Sequence, residues 1–174
     1  MPTIRNDVIK IGDKFATLIG DDVVVGQPAP EFTSVVTGWT PVNPLLDSKG
    51  KVIILSAVPS LDTEVCDRET RRFNEEAAKL SEDIVIYTIS TDFPMAQKRW
   101  CGAAGVDKVK VVSDVIEADF GIKYGLLIKE RRYLRRAVFI VGRDGRLTYV
   151  KYMPVLAEEP DYDEVINAAK DALQ

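Results

Sequence analysis

The stretch Lys51-Val52-Ile53-Ile54-Leu55-Ser56-Ala57-Val58 decides the fold of this chain. A continuous apolar run of this length is typical of a strand that is buried on both faces of a sheet. Residues 84–90 form a second run of the same kind, and residues 63–80 between them are predicted to be a helix. The apolar side of that helix consists of Thr70, Phe73, Ala77 and Leu80. This order predicts a β-α-β unit.

Further predicted elements extend this unit in both directions along the chain. Before it, we expect a hairpin from residues 8–11 and 15–19 and two short strands at 32–36 and 42–46. After it, we expect a helix that Asp92 caps and Gly102 ends, a strand at 108–112, and a short helix that Asp114 and Glu117 open. A hairpin of residues 137–141 and 146–152 and a final helix capped by Asp161 complete the order.

This order of elements predicts an α/β fold of the thioredoxin-like type. We expect a central mixed sheet with helices on both faces. The chain of 174 residues is long enough for one domain with one core, and it contains no long linker. We therefore predict one domain over residues 1–174, with residues 1–25 as an N-terminal β-hairpin extension.

The composition excludes several classes of protein. The 23 basic and 27 acidic residues give a net charge of −4, so there is no overall positive field to attract nucleic acid or an anionic membrane. No apolar stretch approaches the roughly 20 residues that a membrane-crossing helix needs. Arg5, Asp7 and Lys10 lie where a signal peptide requires an apolar segment, which predicts a cytoplasmic protein.

The chain has no histidine and only two cysteines, Cys66 and Cys101. The absence of histidine excludes Ser-His-Asp triads, Cys-His dyads and His-ligated zinc. Two thiols are too few for a four-cysteine zinc site, an iron–sulfur cluster or a disulfide scaffold. They are sufficient for one redox couple.

The two cysteines occupy unequal positions in the predicted elements. Cys66 follows a buried strand, at the sheet edge where ligands bind in α/β proteins. If Asp62 or Thr63 is the N-cap, Cys66 lies in the first turn of the helix, where free N–H groups favour a thiolate. Cys101 lies in the last turn before Gly102, where the helix dipole disfavours an anion. The alternative is that both are small buried apolar residues, as cysteines commonly are.

Pro59, Thr63 and Cys66 stand in the spacing P-x3-T-x2-C, which resembles the active-site signature of the peroxiredoxins. The whole string of residues 59–66 is similar to that of the thiol peroxidase subfamily, the atypical two-cysteine peroxiredoxins. The likeness covers nearly the whole chain and includes residues 26–32, 92–102, 136–139 and 158–162. The sequence departs from the family pattern where Val115 and Ile116 replace an aromatic–basic pair.

This resemblance implies roles for five residues. Cys66 would be the peroxidatic cysteine, Thr63 would donate a hydrogen bond to the thiolate and the peroxide, and Arg136 would place its guanidinium beside the sulfur. Pro59 would shield the pocket, and Cys101 would be the resolving cysteine. The implied activity is the reduction of hydrogen peroxide and organic hydroperoxides through a Cys66 sulfenic acid and a Cys66–Cys101 disulfide. The family further implies thioredoxin as the reductant, a homodimer and no cofactor.

Two other interpretations of the cysteines stay open at this point. A general thiol–disulfide oxidoreductase would need a Cys-x-x-Cys pair, which the sequence lacks, whereas a redox sensor would use the same two thiols without turnover. Arg136 also belongs to the basic run of residues 129–136, and we expect Arg131, Arg132 and Arg135 of that run to be solvated. Arg136 differs from them because it opens a strand and matches the family motif.

Overall fold

Eleven strands and five α-helices form two sheets and the layers that cover them, in a computed structural model that describes all 174 residues. In chain order the elements are β1 (Ile4–Ile11), β2 (Lys14–Ile19), β3 (Ser34–Val36), β4 (Thr40–Val42), α1 (Pro44–Asp47), β5 (Val52–Ala57), α2 (Glu64–Ala77), β6 (Ile84–Ser90), α3 (Pro94–Ala104), β7 (Lys110–Ser113), α4 (Asp119–Lys123), β8 (Leu127–Ile128), β9 (Tyr133–Leu134), β10 (Ala137–Val141), β11 (Leu147–Tyr152) and α5 (Tyr162–Asp171). None of these helices has the length and apolar composition needed to cross a membrane.

The larger sheet has seven strands in the order β11-β10-β5-β6-β7-β3-β4. Strands β5, β6 and β7 are parallel to one another, whereas β10 runs antiparallel to β5 and β3 runs antiparallel to β7. All six residues of β5 are buried. The apolar run at 51–58 therefore is the central, doubly covered strand that the sequence predicts.

Each face of this sheet carries its own apolar layer. Val52 and Ile54 of β5 pack with Phe73 of α2 and with residues of α5 on one face, whereas Ile53 and Leu55 belong to the cluster on the other face. The two layers alternate along β5 because successive side chains of a strand point to opposite faces. The predicted α/β fold, a mixed sheet flanked by helices, is confirmed.

The predicted N-terminal hairpin is present as β1 and β2, which pair antiparallel. It forms one half of a second sheet of four strands, in the order β1-β2-β8-β9. Strands β8 and β9 contain two residues each, too few for any periodicity in the sequence to reveal them. They connect the hairpin to the segment that leads into β10.

Two predicted boundaries in the middle of the chain are wrong. Residues 44–47 form α1 rather than a strand, because the Asn43 side chain accepts a hydrogen bond from the Leu46 N–H and Pro44 opens the helix. The helix α3 continues past Gly102 to Ala104, and Gly105 ends it with a φ of 69°. Gly102 lies inside α3, and a Cβ atom at this position would meet no atom within 4 Å apart from its chain neighbours and the helix backbone.

Asp92 and Asp114 have roles different from the predicted helix caps. The Asp92 carboxylate accepts hydrogen bonds from the Ser60 hydroxyl and the Leu61 N–H, so it is not available to α3. Helix α4 begins at Asp119 rather than close to Asp114. The buried Asp114 carboxylate nevertheless accepts the N–H groups of Phe120 and Gly121 in the first turn of α4.

Candidate active site

Cys66 is the third residue of α2, directly after the loop that follows β5. Thr63 is the N-cap, and its hydroxyl oxygen accepts the Cys66 N–H at 3.4 Å. The same hydroxyl donates to the Ser60 carbonyl at 2.9 Å. The first turn of the helix is thus tied to the loop, and Cys66 lies at the positive end of the helix dipole. In this state the Thr63 proton is directed to Ser60 rather than to the sulfur.

Arg136 is the group that contacts the Cys66 sulfur. Its Nη2 donates to Cys66 Sγ at 3.1 Å, its Nη1 to Glu69 Oε2 at 2.5 Å and its Nε to the Leu156 carbonyl at 2.9 Å. The residue is only 1% exposed. Burial disfavours the charged guanidinium and acts to lower its pKa. Attraction to the Glu69 carboxylate and the Cys66 sulfur is the stronger effect, so the pKa of Arg136 is raised. A fixed cation therefore faces the sulfur from within the protein.

Glu69 is a member of this cluster that the sequence reasoning missed. Its Oε1 accepts the Ser56 hydroxyl at 2.9 Å, and it is fully buried beside Arg136. Burial raises the pKa of Glu69 to about 7, although Arg136 and Ser56 act in the opposite direction. Spacing could have identified it, because Glu69 lies three residues after Cys66 and four before Phe73, on the buried side of the helix.

An open cleft of about 230 Å³ lies over this cluster. Pro59, Thr63 and Arg136 line it, together with Tyr133 and Leu156, two residues that the sequence reasoning did not single out. Cys66 lies just behind these residues and has no exposed surface. Four of the five predicted site residues therefore come together, with Arg136 connecting the cleft to the sulfur.

Cys101, the fifth predicted residue, is not part of this cluster. It is half-buried in the last turn of α3 and lines a different cleft, of about 240 Å³, with Thr37 and Gln97. Both thiols are free. Burial raises the pKa of the Cys101 thiol, which favours its neutral form. The structure thus separates a sulfur that faces a cation from a sulfur that does not.

One of the arginines in the basic run before β10 is buried where the sequence predicts it to be solvated. Arg131 and Arg132 are exposed, as expected. The prediction that Arg135 is solvated is wrong, because its guanidinium lies 4.5 Å from the centre of the Tyr152 ring and 3.4 Å from Asp22 Oδ1, and the residue is 7% exposed. Arg135 and Arg136 are adjacent and point to opposite sides of an extended chain, so each is buried against a different layer.

Comparison with known proteins places this geometry in a family. Residues 24–166 match the Redoxin family. The chain is 51% identical to a thiol peroxidase of Bacillus subtilis (strain 168) over 154 residues, which cover 88% of this chain and 91% of that protein. It is 49% identical to a thiol peroxidase of Halalkalibacterium halodurans over 157 residues, 90% of this chain and 93% of that one. The crystal structure of a peroxiredoxin-like protein from Aquifex aeolicus superposes with a TM-score of 0.86 at 36% identity and covers 97% of this chain and 98% of its own. The chain therefore belongs to the Redoxin family and is a peroxiredoxin-type peroxidase of the thiol peroxidase subfamily.

Proposed function

We propose that this enzyme reduces hydrogen peroxide and organic hydroperoxides with Cys66 as the attacking sulfur and Cys101 as the resolving one. The observation that carries the proposal is the hydrogen bond from Arg136 Nη2 to Cys66 Sγ, at 3.1 Å, behind a cleft that Pro59 and Thr63 line. A thiolate is the reactive form of a cysteine, and a fixed neighbouring cation stabilises it without any histidine.

In the first step the Cys66 thiolate attacks one oxygen of the hydroperoxide. The S–O bond forms as the O–O bond breaks, and the leaving oxygen takes up a proton and departs as water or an alcohol. Negative charge builds up on that oxygen, so donors already aimed at the cleft lower the barrier. Arg136 supplies one donor, and a rotation of the Thr63 hydroxyl away from Ser60 would supply a second.

In the second step the Cys101 thiol attacks the Cys66 sulfenic sulfur. The S–S bond forms, the S–O bond breaks and water leaves. A disulfide needs Cα atoms about 4.4–6.8 Å apart. Cys66 is fully buried behind one cleft and Cys101 lines another, so we expect the first turn of α2, the last turn of α3 or both to open locally before the bond forms. Helix ends are the places where such opening is least costly.

An external dithiol then returns the enzyme to its reduced form by thiol–disulfide exchange. We propose that this dithiol is thioredoxin and that the enzyme works in the cytoplasm. A transient catalytic disulfide is compatible with that reducing compartment, whereas a permanent structural one is not. The names of the curated relatives support a peroxidase that consumes thiols, and the choice of thioredoxin rests on the family.

We also propose that the enzyme is a homodimer. The support is an exposed aromatic pair at the edge of the larger sheet, Trp39 and Phe93, with ring centres 6.3 Å apart and exposures of 47% and 57%. Exposed aromatic residues that are adjacent commonly mark protein contacts. Sedimentation equilibrium at micromolar concentration should give twice the mass of one chain, and the mass of a single chain would contradict the dimer.

Intact-mass analysis after one equivalent of hydrogen peroxide tests the assignment of the cysteines. The wild type should lose two hydrogens as the disulfide forms, Cys101→Ser should gain one oxygen and stop there, and Cys66→Ser should consume no peroxide. Equal single-turnover rates in the two variants would show that the roles are misassigned. Continued turnover with thioredoxin and excess peroxide separates the enzyme from a redox sensor, which would stop after one cycle.

A further inference from the structure

Three side chains join the two helices that carry the cysteines. Trp100 Nε1 of α3 donates to Asp67 Oδ2 of α2 at 3.3 Å, and Arg71 Nε donates to the other oxygen of the same carboxylate. The Arg71 guanidinium lies 5.7 Å from the centre of the Trp100 ring, and its Nη1 donates to the Ala104 carbonyl at 3.3 Å. We call the set of Asp67, Arg71 and Trp100 the α2–α3 latch.

The latch lies directly beside both thiols. Asp67 follows Cys66 in the first turn of α2, and Trp100 precedes Cys101 in α3. Trp100 also packs against the small apolar cluster of Val58, Leu61 and Cys66. The latch therefore connects the turn that holds one sulfur to the turn that holds the other.

Formation of the disulfide requires the latch to open. Cys66 is fully buried behind one cleft and Cys101 lines another, so we expect at least one of the two turns to unwind before an S–S bond of normal geometry forms. Asp67 and Trp100 are each joined to a cysteine by a peptide bond, so neither turn can unwind without displacing its latch residue. The hydrogen bond and the ring contact between the helices are lost in that movement.

We propose that the α2–α3 latch sets the rate at which Cys101 resolves the Cys66 sulfenic acid, and with it the fraction of enzyme that a second peroxide overoxidises. This inference rests on the cysteine roles of the proposed function. Neither Asp67 nor Arg71 lines the cleft over Cys66, so their ion pair acts on resolution and leaves the attack on peroxide unaffected. Asp67 and Arg71 hold Trp100 against the cluster that contains Cys66, so the three residues act as positioning residues.

The exposure of the latch suits a contact that opens in every cycle. The side chains of Asp67 and Arg71 are 34% and 47% exposed, so their ion pair is solvated and weak. Salt screens such a pair, whereas it leaves the buried contacts of Arg136 much less affected. Resolution in the wild type should therefore become faster as the salt concentration rises, and this dependence should be lost when Arg71 is removed.

Rapid-quench mass spectrometry of the reduced enzyme after mixing with peroxide tests the latch. Arg71→Ala should form the disulfide several-fold faster than the wild type, form the sulfenic acid at an unchanged rate and accumulate several-fold less sulfinic acid at excess peroxide. Arg72→Ala is the matched control, since Arg72 lies on the same helix but pairs with Glu76 and packs over Tyr162 of α5. It should match the wild type in all three quantities.

Each result of this experiment has a defined meaning. Disulfide formation that is equal in Arg71→Ala and Arg72→Ala, or slower in Arg71→Ala, overturns the latch and leaves the cysteine roles intact. A wild type that forms no intramolecular disulfide overturns the proposed function and the latch together. Asp67→Asn is the second variant if Arg71→Ala does not fold, because it keeps an acceptor for Trp100 and loses the ion pair. It should also resolve faster and lose the salt dependence, and a wild-type rate overturns the latch.

Discussion

A continuous set of buried polar contacts holds Arg136 against Cys66. Ser56 donates to Glu69, Glu69 accepts from Arg136, and Arg136 donates to the sulfur. All four residues are no more than 1% exposed. Because the guanidinium also donates to the Leu156 carbonyl, it cannot turn away from the sulfur without breaking two other hydrogen bonds. The orientation of the cation is therefore fixed before peroxide arrives.

Replacement of Arg136 should impair both catalysis and stability. Arg136→Ala removes the donor to the sulfur, and loss of one such preorganised donor typically slows a reaction by about 10²–10³-fold. It also leaves Glu69 buried without its partner, which typically costs about 3–5 kcal/mol of unfolding free energy. Stopped-flow measurement of sulfenic acid formation and urea unfolding check the two effects. Arg132→Ala is the exposed control, and an Arg136→Ala rate close to that of Arg132→Ala would remove Arg136 from the mechanism.

The buried carboxylate of Glu69 should make the stability of the protein depend on pH. Its pKa is raised from 4.5 to about 7, so the folded state holds a proton that the unfolded state has released between these values. Unfolding free energy then falls as the pH rises through that window, by about 1.4 kcal/mol per pH unit for this group. Urea unfolding between pH 4.5 and 7.5 should show a shallower fall in Glu69→Gln. Glu75→Gln, an exposed site on the same helix, should keep the wild-type slope, and identical slopes in both variants would contradict the assignment.

Individual residues were predictable where a motif or a strong local preference marks them. Pro59, Thr63, Cys66 and Arg136 come from motif positions, and the structure brings them to one cluster. Glu69 was missed because a glutamate in a helix is usually solvated, and only its spacing from Cys66 indicates burial. The charged neighbours of Arg135 predict a solvated side chain. It is buried instead because it contacts Tyr152 and Asp22, which are distant in sequence.

At the scale of the element, the start of α2 contains a cap residue, Thr63, that also borders the cleft. Thr63 accepts the Cys66 N–H and lies on the cleft, so one hydroxyl orders the turn and borders the pocket. Ser and Thr oxygens at this position satisfy an N–H group that has no partner within the helix. The first turn of α2 and the border of the cleft therefore depend on the same side chain.

Substitution of Thr63 should separate these two contributions. Thr63→Ala loses the cap, which typically costs about 1 kcal/mol, and it loses the hydroxyl that borders the cleft. We expect a lower urea midpoint and slower sulfenic acid formation. Thr63→Ser keeps the oxygen and should restore most of both quantities. If Thr63→Ala formed the sulfenic acid as fast as Thr63→Ser, the hydroxyl would have no part in the peroxide step.

The sequence predicts the long helices and strands but not the shortest strands. The strands β5, β6 and β10 and the helices α2 and α5 have apolar patterns and caps that local residues determine. Strand β8 pairs with β2 of the hairpin, a contact between segments more than a hundred residues apart, and β9 pairs with β8. The end of α3 was misplaced because Gly102 and Gly105 are both adequate helix terminators, and only the left-handed φ of Gly105 distinguishes them.

At the scale of the whole molecule, the parallel strands of the sheet bring the cysteine loop and the start of α3 to one edge. β5 ends before the loop of Cys66, and β6 ends before Asp92. The Asp92 carboxylate accepts the Ser60 hydroxyl at 2.7 Å, the Leu61 N–H at 2.8 Å and the Ser90 hydroxyl at 2.7 Å. These bonds anchor both segments to the sheet, so we expect any movement between the two cysteines to be confined to the helix turns beyond them.

Hydrogen exchange in the reduced and disulfide forms should locate that movement. Amides in the first turn of α2 and the last turn of α3 should lose protection when the disulfide forms, because we propose that these turns unwind to bring Cys66 and Cys101 together. Amides of β5 and β10 should keep their protection, since both strands are fully buried and paired on each side. Equal protection around both cysteines in the two forms would mean that the thiols reach each other without unwinding, and local opening would then not limit how fast the sulfenic acid is resolved.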